Sequence, residues 1–368
     1  MEHPRRLHRD AGWKRVVDFR SSNLHVVGYS EPVRSRIPLE KLRSHLHTHA
    51  SRADWIPYRT SYYERTWGFC LARSVLDSLS EDEYEVVVDS TLEPGSLSYG
   101  ECLLPGEIED EILLTTHVCH PSLANDNLSG IALLTELGAR LAERPRRLTY
   151  RLLFVPGTIG SIAWLARNEG QLSSVVGGMT IACVGDATPL TYKRSRAQRA
   201  LIDRAAAHVL AHREPGARVV DFVPWGWDER QFNSPGFALP VGSLSRSREG
   251  EYDEYHSSAD DLDLVAPDRL ADALDAVHAI IDVLERDRCF VNRSPKGEPQ
   301  LGKRGLYPGA GGSEPAVEQL AMLWLLNASD GNASVLDVAD RSGLPFATLA
   351  PCAEQLAHAG LLERVGDE

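Results

Sequence analysis

Residues 113–130, LLTTHVCHPSLANDNLSG, constrain this chain more than any other stretch. The apolar run from Ile112 to Leu114 fits a buried strand. It ends near His117, where a strand should meet a loop. His117, Cys119, His120, Asn125, Asp126 and Asn127 crowd into the next few positions. Residues 131–141, IALLTELGARL, then have the spacing of an amphipathic helix, and Ser129-Gly130 would let it pack close to the strand. A strand, a polar loop and a helix in that order set side chains at the carboxyl edge of an α/β sheet, where such folds build their sites. Histidine and aspartate there suit a divalent ion of the zinc type. A polar turn with an Asn or Asp helix cap is the plainer alternative. A cap alone does not call for two histidines and an aspartate together.

The 368-residue length suits one large domain with one or two small ones. A net charge of −13 disfavours bulk binding to nucleic-acid phosphates. The six cysteines are scattered with no CxxC pair, so they read as reduced thiols rather than a disulfide framework. The start, MEHPRRLHRDAGWKR, lacks the apolar core of a secretory leader, and no apolar run reaches membrane-spanning length. The expected compartment is the cytoplasm.

Residues 23–29 and 84–89 read as strands, and 39–49 as a short helix. The aromatic stretch 55–70 fits core packing or the wall of a cleft. Turn markers at Pro94-Gly95, Gly100 and Pro105-Gly106 suggest a small β-rich module over 35–105, inserted before the strand that delivers His117. Further strands are expected at 148–155, 179–185 and 239–244, and helices at 159–167, 196–213 and 267–285. The last has Leu270, Leu274, Val277, Ile281 and Leu284 on one stripe. Strands alternating with helices give a mixed, doubly wound α/β sheet. Residues 291–313 have a linker's composition. Asp186 follows the third strand, and Glu254, Tyr255 and His256 follow the fourth. Two histidines and two aspartates meeting at a sheet edge would form a mixed nitrogen and oxygen metal site. An aspartate shared by two ions ~3.5–4 Å apart is one possibility.

The motifs THVCHPSLANDNLSG, FVPGTIGSIAWL, CVGDATPLTYKRSR, WDERQFNSPGFALPV and EYHSSADDLD, in that order, resemble the aminopeptidase-like domains DUF4910 and DUF2172, relatives of the M28 zinc aminopeptidases. The resemblance implies an M28-like catalytic domain over 13–34 and 106–290, with the β-rich insertion between. It implies metal ligands at His117, Asp126, Asp186 and His256, holding one or two Zn2+ ions. Asp228, with Glu229, Arg230 and Phe232 beside it, and Tyr255 would face the substrate. One departure stands out. The resemblance leads us to expect a glutamate where the sequence PGTIGS has Gly157, and glycine cannot take a proton from water. His120, Glu229 and Glu254 are the residues expected to stand in as acid or base. Orienting His117 or moving protons suits His120 better than direct ligation, and Cys119 is a soft alternative ligand. The tail, 314–368, resembles a winged helix-turn-helix. Its nominal recognition helix, 345–359, has no Lys or Arg, which points to protein–protein contact or self-association rather than DNA. The expected function is a zinc-dependent aminopeptidase-like hydrolase that cleaves an amide near a free amine, on a peptide or an aminoacylated metabolite. The alternative is a non-hydrolytic or single-metal relative that serves as a binding protein.

Overall fold

A computed structural model describes residues 14–120, 122–213, 215–306 and 316–366. In chain order the first strands and helices are β1 (Val33–Pro38), α1 (Leu39–Leu42), β2 (Leu46–His47), β3 (Phe69–Cys70), α2 (Arg73–Asp77) and β4 (Glu83–Val88). They form a small module in which β1 and β4 pair antiparallel and β2 and β3 pair parallel. Leu42, Phe69, Val86 and Val88 make its core. The expected strand at 23–29 is instead a 3-10 turn, Asn23–His25, followed by isolated bridges from Val26 to Phe69 and Gly28 to Thr60. Tyr29 takes a left-handed φ of 64°, which stops the extended run there. Val17 and Val26 pack on the module's core, so this entry segment is tied to the small module.

The larger body holds β5 (Gly100–Leu104), β6 (Glu111–His117), α3 (Gly130–Ala142), β7 (Thr149–Val155), α4 (Ile159–Asn168), β8 (Val175–Ile181), β9 (Thr191–Lys193), α5 (Leu201–Arg213), β10 (Arg218–Val220), α6 (Glu229–Phe232), β11 (Val241–Ser245) and α7 (Pro267–Arg286). Its seven strands run in the order β10-β9-β11-β8-β6-β7-β5. The centre, β11, β8, β6 and β7, is parallel, while β5 and the β9–β11 pair are antiparallel. This is the mixed α/β sheet flanked by helices that the sequence predicts. One boundary moves: β5 is an edge strand of this sheet, so the small module closes before residue 100.

Every residue of β6 is buried, as its apolar run requires of a strand covered on both faces. Leu133, Leu134, Leu137 and Leu141 seat α3 against the sheet. Gly130 is needed for that approach: a Cβ there would sit 2.6 Å from both Asn127 Oδ1 and the Ile181 carbonyl oxygen. No helix among the described residues is long and apolar enough to cross a membrane.

The tail comprises β12 (Cys289–Asn292), α8 (Val317–Ala328), β13 (Asp330–Ser334), α9 (Val335–Ser342), α10 (Phe346–His358) and β14 (Leu362–Arg364). Helix α10 falls on the nominal recognition helix expected at 345–359. Residues 291–313 are not all linker, because β12 is the middle strand of a sheet ordered β13-β12-β14. Phe290, fully buried, anchors it. The tail packs on the larger body. His208 Nε2 accepts the Phe346 N–H at 2.9 Å, and Arg204 pairs with Asp337 and Asp340 at 2.8 Å.

Candidate metal centre

The ends of β6 and β11 and the loops after them build the site at the carboxyl edge of the parallel strands. His117 is the last residue of β6 and is buried. The chain then loops through His120 and tightens into a turn, Ala124–Ser129, before α3. Asp126 sits in that turn with non-helical φ and ψ of −107° and 82°. The turn is held from outside by Asp260, whose oxygens accept the N–H groups of Asn125 at 2.5 Å and Asp126 at 3.0 Å. Asp260 also accepts the Tyr252 hydroxyl at 3.2 Å. It thereby ties the Asp126 turn to the segment that presents His256. The sequence reading overlooked Asp260, although it lies inside the motif EYHSSADDLD.

Asp126 is the centre of the arrangement and is wholly buried. Its Oδ1 lies 2.8 Å from His117 Nε2. Its Oδ2 lies 3.2 Å from His256 Nε2 and 3.8 Å from His120 Nε2, yet neither Asp126 Oδ2 nor His256 Nε2 has a hydrogen-bond partner. Ligand atoms of His120, Asp126 and His256 all lie within 4.8 Å of one another. Two ligands on one tetrahedral zinc stand ~3.3 Å apart, given bonds of ~2.0–2.1 Å. Buried lone pairs left unpaired at that spacing fit a cation.

The charges agree. Burial pushes the Asp126 carboxyl up, but the His117 hydrogen bond and the nearby His256 and His120 imidazoles overcome it and hold it well below the carboxylate range. Burial also depresses His120, to about 4, so its imidazole is neutral and able to ligate near pH 7. His117 moves the other way: burial opposes its charge, but the Asp126 carboxylate raises it.

Aromatic rings wall the donors. Tyr255 stacks on His256 at 3.9 Å, Trp227 stacks on His117 at 5.9 Å, and Tyr58 meets His120 and His256 edge-on at 4.6 and 5.1 Å. Tyr58 comes from the small module, which grips the His256 loop. The Tyr58 N–H donates to the His256 carbonyl at 2.7 Å, and the Ser258 N–H donates to the Ile56 carbonyl at 2.8 Å. Within the aromatic stretch 55–70, Tyr58 therefore walls the site, while Trp67 and Phe69 pack in the small module's core.

Several expected roles need correction. Asp186 is not among the converging donors. Its Oδ1 accepts Thr188 N–H and O–H at 2.8 and 2.6 Å, and its Oδ2 accepts Asn125 Nδ2 at 2.8 Å and the Ser247 N–H at 3.2 Å. The cause is the strand's length: β8 stops at Ile181, and a left-handed turn at Cys183 leads Asp186 away as a loop pin. His120 joins Asp126 and His256 in the donor group, while two expected ligands lie outside it: Asp186, and His117, whose Nε2 is bound to Asp126 Oδ1. Glu229 is fully buried and its Oε1 is bound by Lys193 Nζ at 2.5 Å, which unfits it as a free base. Glu254 supplies its backbone carbonyl to the Ser257 turn, and its carboxylate is outside the donor group. Phe232 faces the core against Trp164 and Val241, not a cleft. Cys119 Sγ lies 3.4 Å from the Gly157 carbonyl and is not one of the converging atoms. Arg230 is half-buried beside Asp228. Asp228 is buried at the start of α6, where burial raises its carboxyl to about 6.

Known proteins share this fold. The model of the domain of unknown function DUF4910 matches residues 23–287, and that of a winged helix-turn-helix matches 288–364. A protein of Clostridium acetobutylicum, provisionally described as a polysaccharide biosynthesis protein with an aminopeptidase-like domain, is 48% identical over 97% of this chain and 82% of its own length. A crystal structure from the same organism, of a protein provisionally described as a peptidase, superposes with a TM-score of 0.92 at 47% identity, covering 97% of this chain and 82% of that one. The zinc aminopeptidase BSAP of Bacillus subtilis shares the fold at a TM-score of 0.52 and 16% identity, over 64% of this chain and 62% of its own. With its strand-end histidine, its buried aspartate turn and its winged tail, the chain belongs to the DUF4910 family.

Proposed function

We propose that this protein is an aminopeptidase-like hydrolase with one zinc ion, held by His120, Asp126 and His256, and that it cleaves an amide close to a free amine on a peptide or an aminoacylated metabolite. The observation that carries this reading is the unpaired, buried Oδ2 of Asp126 facing two imidazole nitrogens. BSAP is a zinc aminopeptidase, and the nitrogen and oxygen donor set here suits zinc. A zinc ion supplies Lewis acidity, polarising an acyl oxygen and lowering the pKa of water to near ~7.

The protein's own residues do the rest. Donation from His117 to Oδ1 fixes the Asp126 carboxylate so that Oδ2 stays turned to the histidines. Asp260 holds the turn that carries it. Tyr58 and Tyr255 lock the two ligand rings and keep bulk water from that side. Tyr255 and Arg230, both half-buried, are the residues expected to meet the substrate.

The test is release of free amine from a panel of aminoacyl amides by zinc-loaded protein and by His256→Ala. Turnover by the wild type and its loss in the variant support the hydrolase. Zinc retention without turnover across the panel would favour the binding-protein alternative.

A further inference from the structure

The tail and the larger body leave a cleft of about 660 Å³ between them. That size lies in the range that holds small-molecule ligands. From the larger body it is lined by Arg199, in the turn before α5, and by Arg204 on α5. From the tail it is lined by Asp330 on β13 and by Asp337, Asp340 and Arg341 on α9. None of these residues belongs to the donor group of the metal centre or to the rings around it.

The acids in the cleft are already in use. Asp337 and Asp340 each accept an Arg204 N–H at 2.8 Å. Asp337 also accepts the Ser334 N–H at 2.8 Å at the start of α9, and Asp340 faces His208 Nδ1 at 3.2 Å. Asp330 closes a turn on the N–H groups of Asn332 and Ala333, at 2.8 and 3.2 Å. Two of the cations are not in use. Arg199 and Arg341 are exposed, and neither side chain has a hydrogen bond or an ion pair among the described residues. Formal charges in the cleft cancel, three arginines against three aspartates, but the hydrogen-bonding capacity left over does not. A guanidinium donates and never accepts, so what remains free on the arginines is all donor.

One exposed arginine is ordinary. Two unpaired ones, from different bodies and on the walls of one cleft, are a different matter. Docking of the tail does not need them, because Arg204 and His208 already make its polar contacts. The complement of free guanidinium forks is a group rich in anionic oxygens, which they grip two at a time.

We propose that this cleft binds a small oxyanion carrying at least two negative charges, a phosphate ester or a dicarboxylate. Arg199 holds it from the larger body and Arg341 from the tail. The ligand bridges the two bodies and adds to the contacts that seat the tail. It leaves the metal donors untouched, so the assignment does not depend on the hydrolase reading.

The test is calorimetric titration of the full chain with fructose 1,6-bisphosphate and, separately, with glutarate, in buffer free of phosphate and carboxylate. The two probes separate the phosphate source from the carboxylate source. Wild type is compared with Arg199→Gln, Arg341→Gln, Arg167→Gln and His256→Ala. Arg167 is an exposed arginine of α4 outside the cleft. Neither cleft arginine makes a polar contact in the folded chain, so both variants should fold, and their melting temperatures without ligand check this. The expected result is saturable binding of at least one probe, with a ligand-induced rise in the melting temperature of wild type. Each cleft substitution removes a charge-assisted contact and should weaken binding by about tenfold or more. Arg167→Gln and His256→Ala should bind like wild type. No binding of either probe at millimolar concentration overturns the proposal. So does a loss confined to one of the two arginines, or an equal loss in Arg167→Gln. Binding lost in His256→Ala but kept in both cleft variants would put the ligand at the metal centre and overturn it too.

Discussion

Replacing Lys193 by methionine tests whether Glu229 is a structural member of a buried pair. Lys193 and Glu229 are 4% and 0% exposed. The ammonium reaches Glu229 Oε1 and the Trp225 carbonyl, both at 2.5 Å, while Oε2 has no partner. Methionine matches the length of the lysine stem but removes the charge. Glu229 is then a buried carboxylate without its counter-charge, and breaking such a pair costs about 3–5 kcal/mol. Removing both charges should cost much less, because no uncompensated ion remains. The assay is urea denaturation of wild type, Lys193→Met and Lys193→Met with Glu229→Gln, with the slope checked for constancy. The single variant should lose about 3–5 kcal/mol, and the double variant should recover more than half of it. A single-variant loss under about 1 kcal/mol, the range of an exposed pair, would refute the reasoning. So would a double variant no more stable than the single one.

Other expectations follow from the same contacts. Tyr58→Ala removes the ring packed against His120 and His256, and zinc affinity measured by chelator competition should weaken ~10–100-fold, as when other supports of metal ligands are removed. A change below threefold would show that the module does not position the ligands. In metal-free protein, His120 stays neutral down to about 4, whereas an unfolded chain protonates its histidines near 6.5. Protons therefore favour the unfolded state as pH falls through that window. Stability should be fully present above about 6.5 and drop by about 3 kcal/mol toward pH 4. His120→Gln should lack that component, and an identical pH profile for the two proteins would contradict it. Helix α10 contains no Lys or Arg, so duplex DNA titrated at ~50–200 mM salt should give no salt-sensitive binding. An affinity that falls steeply with salt would overturn this reading of the tail.

The site was legible in the sequence where chemistry and local pattern coincide. The apolar run into His117 and the leucine face of residues 131–141 specify a strand and a helix, and the polar loop between them had to lie at the sheet edge. His256 emerged through its motif. That Asp186 lies outside the donor group was not legible, because it depends on where β8 ends. Four residues of irregular chain after Ile181 decide which way the carboxylate turns. Phe232 shows the same limit: in a four-residue helix, adjacent side chains point to the core and to the cleft, and the sequence does not say which. Asp260 acts across 134 positions of chain with no local signal to mark it, and Tyr58, acting across 198, shows in the sequence only as one ring of an aromatic stretch. The boundary of the small module was misplaced because β5 is an edge strand with little buried surface and a weak apolar pattern.

The central claim is that His120, Asp126 and His256 hold a cation together, and counting metal on the protein tests it most directly. Purified chain should be loaded with excess zinc, stripped of loosely bound ions and analysed by elemental mass spectrometry beside Asp126→Asn and His256→Ala. The account predicts about one zinc per wild-type chain, as a single closed donor set implies, and at least a tenfold loss of affinity in both variants. Zinc at background level in the wild type, or equal retention by wild type and both variants, would contradict it.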